Sequence, residues 1–207
     1  ELQGKPLICH IIESAINSKY LTNIAVTSDS KQISKISNNY RNIDFINRPK
    51  HLALDKSPAI DYVNHTIESY RSKNMIFDIV VILQPTSPFT LGKDIDNCVK
   101  KLLNSNADSV VSMMKVAHHI HPSKLKLIKN DQVLPYIEDE IKIKLAHELE
   151  DIYVRNCSIY ASKKHVIESG KIIGGDCKPY IMPFERSVDI NDSFDFQFAK
   201  FLTQIDT

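Results

Sequence analysis

Glycine and tryptophan are scarce in this sequence of 207 residues, which has five glycines and no tryptophan. Glycine usually makes up about 7% of a protein, so the chain has few positions for glycine-rich loops. No Walker A, GxGxxG or GxSxG motif is present, which removes the most familiar phosphate-binding and nucleophile signatures. No apolar run approaches the length needed to span a bilayer, and the opening residues ELQGKPLI are not a signal peptide.

Cysteine spacing and net charge exclude several further classes. Cys9, Cys98, Cys157 and Cys177 are far apart and form no CxxC pair, so neither a zinc site nor a disulfide framework is indicated. A reducing, cytoplasmic location is therefore expected. The net charge of +1 gives no general attraction to nucleic acid or to a membrane surface. With 43% apolar and 25% charged residues, the chain has the composition of a soluble globular protein.

Hydrophobic periodicity predicts helices that alternate with short apolar strands. Helices are expected at residues 6–20, 31–40, 59–70, 93–103 and 192–205, with Ser57 as the N-cap of the third. Strands are expected at residues 24–26, 43–46, 77–83, 107–113, 154–161 and 178–182. This order predicts an α/β fold, a Rossmann-like, mostly parallel sheet flanked by helices. Residues 77–83 have the apolar character of a central strand covered on both faces.

The alternation is interrupted at residues 115–152, where short apolar runs are mixed with many charges. We interpret this segment as a small β-rich excursion from an α/β domain of residues 1–114 and 153–207. Polar side chains follow the strands of that domain, at residues 27–29, in the QPTSP segment of residues 84–88, and at Ser112. Ligands of open α/β sheets bind outside the carboxyl ends of the strands, so these segments predict the binding site.

Oxygen-bearing side chains precede the last predicted helix. Asp189 and Asn191 are two residues apart, so on an extended segment they face the same side. Mg²⁺ is often held by one or two carboxylates together with substrate phosphates, and this pair would suffice. An Asp before a helix, such as Asp192, also suits an N-cap, so both interpretations stand.

Three further groups of residues are candidates for binding, and the first two have two interpretations each. Arg48 follows a strand and suits either a phosphate or base contact or a solvated surface position. Asn156 and Tyr160 are four apart on a predicted strand, hence on one face, and suit either a binding surface or a local brace. The histidines of residues 118–121 have no carboxylate or cysteine at ligand spacing, so a metal site there is not favoured.

Taken together, seven segments resemble the CMP-acylneuraminate synthetases, the cytidylyltransferases that activate sialic acid and related nine-carbon acidic sugars. The matching segments are GKPLI, VTSDS, RPxxLAxDxS, LQPTSPF, ADSVVS, YxxNxxIY and RSVDIN, in that order along nearly the whole chain. The resemblance implies attack of the sugar's anomeric hydroxyl on the α-phosphate of CTP, release of pyrophosphate, and Mg²⁺ as cofactor.

The resemblance also implies roles for individual residues. Nucleotide contacts are expected from Arg48, Ser57 and Asp29, and sugar contacts from Gln84, Thr86, Ser87, Asn156 and Tyr160. Asp189 and Gln84 would serve catalysis, and Asp189 with Asn191 would hold the metal. Residues 115–152 would form a lid and dimer contact, so a cytoplasmic homodimer is expected, with no nucleic acid or membrane partner.

Several departures from the family pattern keep a second hypothesis open. The family has a strand and a glycine-rich basic loop before GKPLI, and this sequence contains no counterpart of them. Ala146 and His147 replace an Arg-Gln pair, Cys157 and Ser158 replace Gly-Ala, Asn191 replaces a second metal carboxylate, and Thr90 replaces a basic residue. The alternative is a catalytically silent homologue that binds nucleotide or a partner subunit. A glycine- and lysine-rich loop upstream of Glu1 in the complete protein would favour the enzyme.

Overall fold

The computed structural model of the protein describes residues 1–137 and 149–205, and its helices and strands alternate as expected for an α/β fold. The helices are α1 (Leu7–Ile16), α2 (Lys31–Ser37), α3 (Ala59–Arg71), α4 (Gly92–Leu103), α5 (Lys164–Glu168) and α6 (Ser193–Leu202). The strands are β1 (Ala25–Ser28), β2 (Asp44–Asn47), β3 (Ile79–Leu83), β4 (Ser109–Lys115), β5 (Lys126–Lys129), β6 (Gln132–Pro135), β7 (Tyr153–Lys163) and β8 (Cys177–Ile181).

The strands pair in three groups. β1 and β2 are parallel, β3, β7, β4 and β8 form a four-stranded sheet in that order, and β5 and β6 form a hairpin. Within the four-stranded sheet β7 is antiparallel to β3 and β4, whereas β4 and β8 are parallel. Thus β3, β4 and β8 run in one direction, and β7 alone runs against them.

Helix α3 fixes the direction of β3 relative to β2. The Tyr70 hydroxyl near the end of α3 donates to Asp44 at the start of β2, over 2.7 Å. Arg48, just after β2, lies over the ring of Tyr62 near the start of α3. Helix α3 is therefore antiparallel to β2, and from the usual geometry of a strand–helix–strand crossover we infer that β3 is parallel to β2. With this orientation, all strands of the β1–β2 pair and of the four-stranded sheet except β7 end at one edge, in agreement with the predicted mostly parallel sheet.

Helices cover both faces of the four-stranded sheet. Helices α1 and α4 pack together, and α4 packs on β4, β7 and β8, while α3 and α5 contact one another and β3 contacts α5. The core beneath α4 consists of fully or almost fully buried apolar side chains, namely Ile95, Cys98, Leu102, Ala107, Val110, Ile159, Ala161 and Met182. Burial of this apolar surface is the main force that holds the helices on the sheet.

A groove separates β1 from β3. It has a volume of about 810 Å³ and is lined by both strands and by apolar side chains of α1 and α3. Within the described part of the chain, β1 pairs only with β2 and β3 only with β7, so the two facing edges lack strand partners. The prediction that residues 77–83 form a covered central strand is therefore wrong in one respect: all five residues of β3 remain partly exposed.

A large bulge interrupts β7. Met113 pairs with Arg155 and Val111 pairs with Tyr160, so residues 156–159 of β7 lie opposite Ser112 alone. The Ser112 hydroxyl bridges the gap by accepting from the Ile159 N–H over 2.8 Å. The bulge contains Cys157 at φ 60°, and it breaks the alternation of faces along the strand. The expectation that Asn156 and Tyr160 share one face fails for this reason.

The third helix begins as predicted, but Ser57 does not cap it. Pro58 is the N-cap residue, and no side chain there accepts from the first turn. The Ser57 hydroxyl instead donates to the His51 carbonyl and accepts from the Leu54 N–H, at 3.1 and 3.2 Å. Ser57 thus closes the loop of residues 51–57, because its hydroxyl bonds to backbone groups that precede the helix and not to the first turn of the helix.

The excursion predicted at residues 115–152 contains the β5–β6 hairpin. All eight residues of the two strands are exposed. Residues 138–148, which include Ala146 and His147, lie outside the described residues. The division of the chain into an α/β domain and an excursion therefore stays a prediction. No helix in residues 1–137 and 149–205 combines the length and hydrophobicity needed to cross a membrane.

Gly92 allows the two helices of one layer to approach closely. A Cβ atom at this position would lie 2.8 Å from the backbone carbonyl carbon and oxygen of Asn17, at the end of α1. Both neighbours belong to the backbone and cannot move without shifting the helix. Gly175 has no atom within 4 Å of the equivalent position and serves as a control.

We expect Gly92→Ala to lower the free energy of unfolding by about 1–3 kcal/mol, the usual cost of overpacking. Gly175→Ala should leave it almost unchanged. Urea unfolding followed by circular dichroism measures both. Equal midpoints for the two variants would show that α1 and α4 do not depend on this contact.

Candidate functional site

Segments that follow the ends of parallel strands lie together at one edge of the sheet. Asp29 follows β1, Arg48 follows β2, residues 84–90 follow β3, and residues 182–191 follow β8. The carboxyl ends of parallel strands meet at the same edge, so the fold brings these polar segments together. The folded chain thus has these candidate residues at the carboxyl ends of the parallel strands, the edge that the sequence predicts for a binding site.

Arg48 is anchored between two neighbouring elements. Its guanidinium donates to the Thr27 carbonyl oxygen over 2.7 Å, and its centre lies 4.2 Å from the middle of the Tyr62 ring. These contacts contradict the interpretation as a solvated surface residue. Arg48, Tyr62 and Gln84 line the same end of the groove between β1 and β3. A fixed cation beside an aromatic face suits a nucleotide, which carries both phosphates and a base.

The QPTSP loop is held in shape by its own hydrogen bonds. The Ser87 N–H donates to the Gln84 carbonyl, and the Thr90 hydroxyl donates to the Ser87 carbonyl at 3.0 Å. Ser14 of α1 donates to the Thr90 carbonyl at 2.6 Å. Thr90, which replaces a basic residue of the family pattern, is fully buried. Its side chain therefore braces the loop.

The candidate ligand-binding side chains of this loop differ in access. Gln84 and Thr86 are partly exposed, and the Gln84 amide makes no hydrogen bond within residues 1–137 and 149–205, which leaves it available to a ligand. Ser87 is fully buried, and its hydroxyl has no partner among the described residues. Ser87 therefore does not present its hydroxyl to solvent, where a sugar would approach.

The loop after β8 is joined directly to the QPTSP loop. The Ile190 N–H donates to the Thr86 carbonyl oxygen over 2.9 Å. Val188 is buried in an apolar cluster that also contains Leu2 and, at its margin, Phe89. One backbone hydrogen bond and one shared apolar cluster thus fix the two loops against each other.

The three oxygen-bearing residues before α6 have different roles. Asp192 is the N-cap of α6, and its carboxylate accepts from the N–H groups of Phe194 and Asp195 at 2.8 and 2.9 Å. The Asn191 amide donates to the Asp189 carbonyl at 3.2 Å. The Asp189 carboxylate has no hydrogen-bond donor in the described part of the chain. The capping interpretation therefore holds for Asp192, while Asp189 is free to bind a ligand.

Asn156 is a brace and not a surface for ligands. It is 3% exposed, and its amide nitrogen donates to Ser187 Oγ at 2.9 Å and lies 3.3 Å from Met182 Sδ. Its carbonyl oxygen accepts from the Ser158 N–H. The expectation of sugar binding by Asn156 is corrected, because every polar atom of this buried side chain already has a partner.

Tyr160 lies on the other side of the bulge, close to Asp189. Burial raises the pKa of the Tyr160 phenol to about 12, and a hydrogen bond with Cys157 and the negative charge of Asp189 act in the same direction. The positive charge of Arg155 lowers this pKa. Tyr160 therefore stays protonated at neutral pH, and a cation and an anion lie near its hydroxyl.

The other candidates occupy less central positions. Asp29 is exposed just beyond β1, and Ser57 braces the loop of residues 51–57. Two residues that sequence reasoning missed are Tyr62 and Arg155. Tyr62 gives no signal in the sequence, since it is one polar-aromatic residue of an amphipathic helix. Arg155 stands directly before Asn156 in the YxxNxxIY segment, and its charge is the signal that the sequence offers.

The donor set suits a divalent cation only as part of a larger complex. Among the described residues, no three histidine, cysteine, aspartate or glutamate side chains lie together as a metal site. One free carboxylate, Asp189, and the amide of Asn191 offer two protein oxygens. Mg²⁺ commonly takes one or two carboxylates and completes its shell with substrate phosphates and water, so these residues fit such an ion.

Comparison with known proteins places this site in a family context. The chain is 31% identical to a CMP-N,N'-diacetyllegionaminic acid synthase of Legionella pneumophila, over 99% of this chain and 88% of the relative. It is 28% identical to an N-acylneuraminate cytidylyltransferase of Escherichia coli, over 96% of this chain. The chain spans about half the length of that second relative, 46%.

Solved structures give the same fold. A structure of CMP:2-keto-3-deoxy-manno-octonic acid synthetase in complex with CTP aligns with a TM-score of 0.68, over 99% of this chain and 91% of the other, at 14% identity. The Rossmann-like α/β fold expected from the sequence is thereby confirmed. Because the sequence profile of the cytidylyltransferase family matches residues 1–180, the chain belongs to the cytidylyltransferase family.

Proposed function

We propose that the protein transfers CMP from CTP to a nine-carbon acidic sugar of the sialic acid type and releases pyrophosphate. The observation that carries the proposal is that Arg48 and Gln84 line one groove, while the Ile190–Thr86 hydrogen bond joins the loop of Gln84 to the loop of Asp189, in a member of this family. The relatives named for legionaminic, pseudaminic and N-acylneuraminic acids support this substrate class.

The reaction requires little covalent chemistry from the protein. The oxygen of the sugar's anomeric hydroxyl forms a bond to the α-phosphorus of CTP, and the bond from that phosphorus to the bridging oxygen of the β-phosphate breaks. The hydroxyl proton passes to water, and pyrophosphate leaves with the electron pair of the broken bond. Positioning of the two substrates and stabilisation of charge on the phosphates are the main contributions expected of the side chains.

Arg48 and Tyr62 suit the nucleotide. The Arg48 guanidinium is held by Thr27 and supported by the Tyr62 ring, so its orientation is fixed before a ligand arrives. A preorganised cation loses little conformational freedom on binding. We assign the CTP side of the site to this end of the groove, with Asp29 and Ser57 at its margin.

The sugar side is formed by the QPTSP loop and the β7 bulge. The free amide of Gln84 and the hydroxyls of Thr86 and Tyr160 supply hydrogen bonds on rigid supports. Arg155 lies near Tyr160 and provides the cation that an acidic sugar requires. Gln84 lies at both the groove and this loop, so it can orient the sugar's hydroxyl toward the nucleotide.

Asp189 is the residue assigned to the metal, with Asn191 as a second oxygen donor. A bound Mg²⁺ would neutralise the triphosphate and stabilise charge on the leaving pyrophosphate. The Asp189 carboxylate is partly buried and makes no hydrogen bond or ion pair with residues 1–137 and 149–205, which leaves it available to such an ion. Asn191 contributes no charge, and the site therefore relies on the phosphates of the nucleotide for affinity.

Two expectations from the family belong to this proposal. The exposed hairpin includes Ile128 and Val133, which are 77% and 69% exposed, and we assign it to contact with a second subunit. The second is the family's strand and glycine-rich phosphate loop. Such a strand would fit in the groove between β1 and β3, where the facing edges of both strands are open to pairing.

The proposal predicts pyrophosphate release when the full-length protein receives CTP, Mg²⁺ and one acid from a panel of sialic, legionaminic and pseudaminic acids. Release with one acid, together with formation of its CMP-sugar, identifies the substrate. A protein that binds CTP but releases no pyrophosphate with any acid would instead be the silent homologue.

Asp189→Asn should lower Mg²⁺-dependent turnover at least about 100-fold, because a charge that stabilises the reacting phosphates is lost. Asp192→Asn is the matched control, since asparagine caps helices about as well as aspartate. Initial rates across a Mg²⁺ titration provide the measurement. Equal rates for the two variants would remove Asp189 from the metal.

A further inference from the structure

The residue before the SVDIN segment, Arg186, is part of a buried polar cluster that the proposed chemistry does not use. Arg186 lies in the short helical turn Phe184–Arg186, and its guanidinium forms an ion pair with Asp94 of α4. Asp94 is fully buried, whereas the Arg186 side chain is 23% exposed. Because a buried charge without a partner destabilises the fold, an ion pair with one fully buried member has a structural role.

Every oxygen of Asp94 is occupied. Oδ2 accepts from the Leu91 N–H at 3.0 Å and from Arg186, and Oδ1 accepts from the Tyr180 hydroxyl at 2.9 Å. Burial raises the pKa of the Tyr180 phenol, so it remains a donor at neutral pH. Because α4 is packed in the core, Asp94 is a fixed point to which a neighbouring loop can be tied.

The loop after β8 is tied at three points. Arg186 bonds to Asp94 of α4, Ser187 accepts from Asn156 of the β7 bulge, and the Ile190 N–H donates to Thr86 of the QPTSP loop. Asp189 lies between the second and third of these points, and its carboxylate makes no hydrogen bond or ion pair with any residue that the structure describes. Its direction therefore depends on the backbone that the ties hold.

We propose that the Asp94–Arg186 pair is a positioning device that holds the backbone of residues 187–190 so that the Asp189 carboxylate faces the substrate phosphates. Neither residue of the pair is among those assigned above to the nucleotide, the sugar or the metal. This role rests on the proposed function for its purpose, but the restraint on the loop is a property of the folded chain alone.

A single substitution would leave a buried charge without a partner and would destabilise the fold for that reason alone. The double variant Asp94→Asn/Arg186→Met removes both charges and keeps side-chain size. The new amide oxygen can still accept from the Leu91 N–H, and the amide nitrogen can donate to the Tyr180 hydroxyl oxygen, which then acts as the acceptor. The matched control is Arg71→Met/Glu168→Gln. That pair joins α3 and α5 at 3.5 Å, and Arg71 ends α3 near the start of β2, away from the site.

Hydrogen exchange by mass spectrometry tests the restraint directly. In the double variant, amide exchange in a peptide covering residues 187–191 should accelerate about tenfold or more, because the ties of Ser187 and Ile190 open more often. Peptides from β4 and β8 should keep their protection, which shows that the fold is intact. Unchanged exchange of residues 187–191 in a folded double variant would overturn the proposal, whatever the protein's activity.

Mn²⁺ binding in the presence of CTP, followed by the electron paramagnetic resonance of free Mn²⁺, tests what the restraint is for. Loss of a group that orients a metal ligand usually weakens metal binding about 10–100-fold, and we expect that range for the double variant and no change for the control. Accelerated exchange with unaltered Mn²⁺ affinity would overturn the link to Asp189. If Asp189→Asn leaves the Mn²⁺ affinity at its wild-type value, the proposed metal site is contradicted, and with it the link between the ion pair and Asp189. The exchange result still decides whether the ion pair restrains the loop.

Discussion

A single backbone hydrogen bond, from the Ile190 N–H to the Thr86 carbonyl, joins the two loops that make up most of the candidate site. The loops come from distant parts of the sequence and follow β3 and β8, which are not neighbours in the sheet. The apolar cluster of Val188, Leu2 and Phe89 beneath them supplies the burial that makes this contact persistent. Groups that act on two substrates at once require such a fixed relation between loops.

The rest of the site depends on how buried polar groups are satisfied. Asp94, Asn156 and Thr90 are all buried, and each directs its hydrogen bonds at a loop that carries candidate ligand-binding residues. A buried polar group without partners is costly, so these contacts have few alternatives and define one arrangement of the loops. Asp189, Gln84 and Arg155, by contrast, have side-chain polar atoms without a hydrogen-bond partner among the described residues, and these atoms are available to ligands. The proposed assignment of ligand-binding residues rests on this division between polar groups that brace the loops and polar groups that lack partners.

The sequence predicted the alternation of helices and strands well, because apolar periodicity reflects burial on one helix face or within a sheet. It also predicted that polar segments follow several strands at one edge of the sheet, and the folded chain has them there. It failed where a local choice depends on tertiary contacts. The bulge at Cys157 separates Asn156 from Tyr160, and nothing in the strand pattern marks it. The free space beside β3 was equally hidden, since a central strand and a strand facing an apolar groove have the same composition.

Crystals of the full-length protein with CTP and Mn²⁺ would test the central claim most directly, because anomalous scattering locates the metal without reference to activity. The account predicts one Mn²⁺ bound between the Asp189 carboxylate and the triphosphate, with the rest of the nucleotide beside Arg48 and Tyr62. Nucleotide or metal bound away from the joined loops, with Asp189 left without a ligand, would contradict it.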